Sequence, residues 1–65
     1  MKDELRARWY RIMNKGSELN RACPWIYSDK WYEMFAAELI EAFQIDDDKE
    51  LEKVLTDWEQ EFRMI

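Results

Sequence analysis

The chain has 65 residues with 15 acidic and 10 basic side chains, a net charge of −5, one Cys and no His. This length predicts a single domain over residues 1–65, and a lone Cys provides neither an internal disulfide nor a structural zinc site to stabilise it. The lack of His and of a paired nucleophile predicts that the protein is not an enzyme. No run of about 20 apolar residues is present that could cross a membrane.

Two further features of composition bear on location and core. The N-terminus lacks the apolar stretch of a signal peptide, and a single Cys suits a reducing compartment, so we expect a cytoplasmic protein. Four Trp, three Tyr and three Phe are many aromatic residues for this length. Each ring can bury about 150–250 Å², so large side chains can compensate for a small core. We expect most rings in the core and some on the surface as binding anchors.

The first part of the chain predicts one longer and one short helix. Residues 3–14 predict a helix that Asp3 caps and that Gly16 stops. Residues 17–23 predict a short second helix, capped by its first residue. Pro24 ends this helix, because the residue before a proline avoids the α region.

Residues 28–43 predict a third helix. Ser28 is its expected cap, and Tyr27 and Tyr32 have the spacing of a hydrophobic staple. Its apolar residues cover an arc of about 180°, which is wide enough to contact two other helices. They are Trp31, Tyr32, Phe35, Ala36, Leu39, Ile40, Ala42 and Phe43.

A fourth helix is predicted after Asp47, which has capping-box spacing with Glu50. Its apolar stripe is typical of a surface helix and comprises Leu51, Val54, Leu55, Trp58, Phe62 and Ile65. The predicted fold is all-α, a compact bundle of three main helices plus one short helix. Asp46, Asp48 and Glu50 also match three positions of an EF-hand loop, but Leu51 stands where that loop needs Gly. We therefore expect neither a metal nor a cofactor.

Positive and negative charges lie in different halves of the chain. Residues 1–30 carry seven Lys or Arg against four acids, and residues 31–65 carry three against eleven. Acids over residues 46–50 suit a helix N-terminus, which favours negative charge. Five other acids gain nothing from local helix physics, because they form like-charge pairs or lie near a helix C-terminus. We predict that these acids, with two aromatic anchors, bind a partner: Glu38, Glu41, Asp57, Glu59, Glu61, Trp25 and Tyr27.

Two functions of different kinds fit this pattern. In the first, the acidic helices dock on a basic, nucleic-acid-binding surface of another protein and inhibit it. In size and acidity the chain resembles small phage-encoded proteins that disarm host defence, anti-CRISPR proteins among them. In the second, the basic first helix and the acidic helices pair in a symmetric homodimer, as in an antitoxin or anti-factor. We expect no direct nucleic-acid binding, because acidic helices repel phosphate, which also argues against a helix-turn-helix over residues 17–43.

Overall fold

The fold is a bundle of three α-helices. A computed structural model describes residues 2–64, in which α1 spans Asp3–Ala22, α2 spans Asp29–Phe43 and α3 spans Asp48–Glu61. These residues contain no β-strand and measure 35 × 22 × 16 Å along their principal axes. The predicted all-α bundle is therefore confirmed. Within the described range, no helix is long and apolar enough to span a membrane.

The three helices share one core. Each helix contacts the other two, and α1 makes the most extensive contacts with both. Phe35 stacks on Trp31 with ring centroids 5.1 Å apart, and it meets Trp58 edge-on at 4.9 Å. Aromatic pairs of this kind add about 0.5–1.5 kcal/mol each beyond the area they bury, which helps a short chain to hold its fold. The buried apolar residues are Leu5, Ile12, Phe35, Leu39, Ala42, Leu51, Leu55 and Phe62.

α1 is longer than the sequence predicts. It continues without a break through Gly16 and Ser17, so Gly16 is not a stop and residues 17–23 do not form a separate short helix or part of a helix-turn-helix. Gly16 is buried against α2, where a Cβ atom would overlap the ring of Phe35. The Oγ of Ser17 lies 2.9 Å from the hydroxyl of Tyr32. Both residues therefore serve the packing of α1 on α2 rather than the end of a helix.

The starts of α2 and α3 agree with the prediction. Ser28 is the N-cap of α2, and its Oγ accepts a hydrogen bond from the backbone N–H of Trp31 at 3.2 Å. Asp47 is the N-cap of α3, and its carboxylate accepts from the N–H of Lys49 at 3.0 Å. Each bond satisfies one of the donors that a helix N-terminus leaves free.

The outer ends of α1 and α3 differ in detail from the prediction. Lys2 is the N-cap of α1, so Asp3 is the first helical residue rather than the cap. A carboxylate in this first turn is still favourable, because the helix N-terminus carries positive potential. Phe62 is buried just beyond the end of α3, whereas Ile65, the last residue of the predicted stripe, lies outside the described residues.

Polar contacts hold α1 and α2 as an antiparallel pair. The Nδ2 of Asn20 donates to the backbone oxygen of Tyr27 at 2.8 Å and to the carboxylate of Asp29 at 3.2 Å. Near the other end of the pair, the Nε1 of Trp9 donates to the backbone oxygen of Leu39 at 2.6 Å. α2 therefore runs back along α1, and its remaining surface is available to α3 and to solvent.

Candidate functional site

A groove between α2 and α3 brings together three of the predicted partner-binding acids. Glu38 comes from α2, and Asp57 and Glu61 come from successive turns of α3. The half-buried indoles of Trp31 and Trp58 form part of the wall. The groove has a volume of about 430 Å³ and is lined by Trp31, Glu38, Val54, Asp57, Trp58 and Glu61.

A second groove of about 540 Å³ continues this surface toward the start of α3. Because Glu38 and Val54 line both grooves, the two form one continuous surface, which we name the acidic groove. Glu41, another predicted partner-binding acid, lies in this second part. Glu50 lies there too, although its position in the sequence predicts only a helix-capping role. The residues that line the second part are Glu38, Glu41, Ala42, Ile45, Glu50 and Val54.

The carboxylates of the acidic groove are exposed and carry no ion pair in the described part of the chain. The salt bridges within residues 2–64 join Lys2 to Asp48, and Arg8 to Glu52 and Glu59. No salt bridge among these residues therefore neutralises a groove carboxylate, and the potential of such exposed charges reaches about 8 Å into solvent at physiological salt. Among the same residues, no three acids lie close enough together to hold a metal ion.

Glu59, the remaining predicted partner-binding acid, lies inside the bundle and is 5% exposed. Its carboxylate accepts two hydrogen bonds from Arg8, from Nη2 at 2.6 Å and from Nε at 3.2 Å. Arg8 also donates to the hydroxyl of Thr56 at 3.1 Å. The hydrogen bond with Glu59 raises the pKa of Arg8 above its ordinary value, although partial burial opposes this shift. Glu59 is therefore corrected from a surface contact to the internal partner of Arg8.

The two predicted aromatic anchors lie in different environments. Tyr27 is half-buried and packs edge-on against Trp31, which lines the acidic groove, with ring centroids 4.7 Å apart. Trp25 is 76% exposed in the connection between α1 and α2, and it is not among the described residues that line the groove. Neither predicted anchor is therefore among the described residues that line the acidic groove: Tyr27 packs against Trp31, which does line it, and Trp25 presents its ring to solvent.

A second surface, which we name the apolar groove, lies between α1 and α2. It has a volume of about 360 Å³ and is lined by Trp9, Tyr10, Ile40, Phe43 and Gln44. Trp9 packs edge-on against Tyr10 and Phe43, with ring centroids 5.2 and 5.1 Å away. Ile40 and Phe43 belong to the arc that the sequence predicts as buried, but α1 covers only part of that arc. The unusual width of the arc was the available signal of this second surface.

The functional groups of the acidic groove suit a cationic partner. Its charged groups are carboxylates, which pair with ammonium and guanidinium groups. Trp31 and Trp58 line the same groove, and indoles attract such cations where a ring face is open to them. Lys and Arg side chains therefore match the groove in charge. No protein-family model, curated protein or solved structure significantly matches this chain.

Proposed function

We propose that this protein is a non-enzymatic cytoplasmic inhibitor that binds a basic, nucleic-acid-binding surface on another protein and occludes it. The observation that carries the proposal is the acidic groove, where five exposed carboxylates line one continuous surface. A phage-encoded anti-defence protein of the anti-CRISPR type would be an inhibitor of this kind.

Carboxylates spaced along two helices can stand in for backbone phosphates. Asp57 and Glu61 are four residues apart, a rise of about 6 Å, and Glu38 and Glu41 are three residues apart, about 4.5 Å. One strand of duplex DNA carries a charge for about every 3.4 Å of axis. The spacing of the groove acids is thus of the same order as the spacing of phosphate charges along DNA. An array of Lys and Arg side chains that follows phosphates can therefore engage several groove acids at once.

The groove also offers apolar surface, which supports affinity as well as attraction. Exposed charges mainly accelerate association and select the partner, and their effect falls as salt rises. Tight binding usually needs a few desolvated anchors, among which Trp and Tyr are enriched. Trp31 and Trp58 supply such surface beside the carboxylates, and Tyr27 packs against Trp31.

The test compares two double variants with the same change in charge. Asp57→Lys with Glu61→Lys reverses the acidic groove, and Glu4→Lys with Glu18→Lys reverses two exposed acids of α1. Proteins captured from host-cell extract on the immobilised wild type are purified, and each is titrated calorimetrically with all three forms. We expect nucleic-acid-binding partners whose own nucleic acid competes with capture. The groove variant should bind more than about tenfold more weakly, while the α1 variant keeps its affinity.

Three results would contradict the proposal. Equal losses of affinity in the two double variants would assign binding to the net charge of the protein rather than to the acidic groove. Unchanged affinity in the groove variant would remove the groove from the interface. Tight binding of the wild type to duplex DNA itself at physiological salt would be incompatible with a surface that imitates phosphate.

A further inference from the structure

The apolar groove between α1 and α2 leaves three large apolar side chains accessible. Tyr10 is 53% exposed, Ile40 is 56% exposed and Phe43 is 40% exposed. Contiguous apolar surface of this kind marks an interaction site more often than a solitary exposed residue does. A chain of this length has a small core, so covering the groove would add substantially to the apolar area it buries.

The contacts between α1 and α2 set the register of the pair. Gly16 lies against Phe35, and Asn20 binds Asp29. Since the helices are antiparallel and rise equally per residue, positions whose numbers sum to about 50 lie level with each other. This rule places Tyr10 level with Ile40, at the centre of the apolar groove.

Charged residues of opposite sign lie beyond one end of the apolar groove, on the same faces of α1 and α2. Helical positions separated by four, seven or eleven residues lie in line on one face. Among the α1 positions level with α2, the charged residue in line with Tyr10 is Arg21, and those in line with Ile40 on α2 are Asp29 and Glu33. All three are exposed, and none forms a salt bridge with another described residue.

We infer that a second copy of this chain covers the apolar groove in a two-fold symmetric dimer. A two-fold axis parallel to the helices keeps each residue at the same height along the helix axes. It also sets α1 of one protomer against α2 of its partner. Tyr10 then meets the partner's Ile40 at the centre of the interface. At the rim, Arg21 meets the partner's Asp29 and the partner's Glu33, which lies one turn further along the helix.

These opposite charges favour a second copy over another occupant. A partner with a surface of one sign would be repelled either by Arg21 or by Asp29 and Glu33, whereas a second copy offers two acids to Arg21 and an arginine to those acids. The acidic groove lies between α2 and α3, on the other side of α2. A dimer through the apolar groove therefore leaves the acidic groove open, and the inference does not depend on the function proposed for that groove.

Sedimentation equilibrium of the full chain from micromolar concentration up to about 1 mM tests the inference. We expect a monomer–dimer equilibrium. Ile40→Glu should raise the dissociation constant more than about tenfold, because it buries a carboxylate at the centre of the interface. Met34→Glu is the matched control, since Met34 is 62% exposed elsewhere on α2; it should leave the equilibrium unchanged. Circular dichroism confirms that each variant keeps its helices.

Charge reversal tests the proposed arrangement at positions where folding is not at risk. Arg21→Glu or Glu33→Arg alone should weaken the dimer about twofold to fivefold, and the two together should recover affinity over either alone. A wild type that remains monomeric at every concentration, an assembly larger than a dimer, or a dimer insensitive to Ile40→Glu would overturn the inference. A double reversal no better than the single ones would overturn the α1-to-α2 pairing.

Discussion

Gly16 in the middle of α1 lies directly against the ring of Phe35 in α2, with no space for a Cβ atom between them. Glycine inside a helix costs about 0.5–1 kcal/mol relative to alanine. The close approach that it allows lets Phe35 reach the centre of the core, where the ring is 1% exposed. Packing around this ring offsets the unfavourable helix propensity of the glycine.

Gly16→Ala should therefore destabilise the protein, although alanine is the better helix former. The added methyl group has to displace a well-packed ring, and overpacking of this kind typically costs about 1–3 kcal/mol. Urea unfolding followed by circular dichroism measures the loss. Asn14→Ala, at an exposed position two residues earlier in α1, is the control and should be neutral or mildly stabilising. A Gly16→Ala variant more stable than the wild type would show that Phe35 moves aside at no cost.

The same contact explains why the prediction that the first helix ends at Gly16 was wrong. Gly followed by Ser has the local pattern of a helix stop and a new cap, and their true partners, Phe35 and Tyr32, lie far along the chain. Single-sequence patterns contain no information about such distant contacts. Ser28 and Asp47 were predicted correctly as caps because their hydrogen bonds go to residues two or three positions away.

The candidate site shows the same division between local and distant information. Helix physics identified Glu38, Asp57 and Glu61 as acids without a local benefit, but only the packing of α2 on α3 makes them neighbours. Glu59 met the same local criterion and was misassigned. Glu59 lies one turn after Leu55, at the edge of the apolar stripe that α3 buries. Arg8 lies at the edge of the apolar stripe that α1 buries. Opposite charges at two such edges were the available signal of an internal pair.

The internal pair of Arg8 and Glu59 should contribute measurably to stability. Glu59→Gln keeps the shape but removes the charge, and the loss of charge-assisted hydrogen bonds should cost about 1.5–3 kcal/mol in urea unfolding. Replacing both partners, with Arg8→Met and Glu59→Leu, should recover much of this loss because no buried charge remains unpaired. A double variant no more stable than Glu59→Gln would contradict this expected recovery.

The pair also has a defined dependence on pH through Arg8. The pKa of Arg8 is raised in the folded state, so its protonated form stabilises the fold at every pH below the ordinary pKa of arginine and loses this effect only as pH rises above it. The stability difference between the wild type and Arg8→Met should therefore stay constant from about pH 7 to pH 10. A difference that shrinks over this interval would assign the effect of Arg8 to some other titrating group.

Ser28 and Ser17, which the sequence treats as equivalent caps, should respond differently to alanine. Ser28→Ala removes a real N-cap and should cost about 1 kcal/mol. Ser17→Ala loses one hydrogen bond to Tyr32 but gains helix propensity, so the net change should stay within about 0.5 kcal/mol. Thermal unfolding compares the two, and Tyr32→Phe should make Ser17→Ala stabilising. Equal losses of stability in Ser28→Ala and Ser17→Ala would contradict the finding that α1 is continuous through Ser17.

Glu61→Gln should stabilise the free protein by about 0.3–0.5 kcal/mol at low salt. The carboxylate lies at the negative end of the α3 dipole and one turn from Asp57, so its removal relieves two repulsions. Glu4→Gln is the control, because Glu4 lies in the first turn of α1 and its loss should be mildly destabilising. Both effects should shrink in high salt as the charges are screened.

The same substitution separates a binding role for Glu61 from a purely solubilising one. If the acidic groove binds a basic partner, Glu61→Gln raises stability and lowers affinity together, whereas Glu4→Gln lowers stability and leaves affinity unchanged. A solubilising acid changes stability without changing affinity. A gain in stability together with a loss of affinity in Glu61→Gln, measured by unfolding and by titration of the same sample, would therefore indicate that the unfavourable charge is kept for binding.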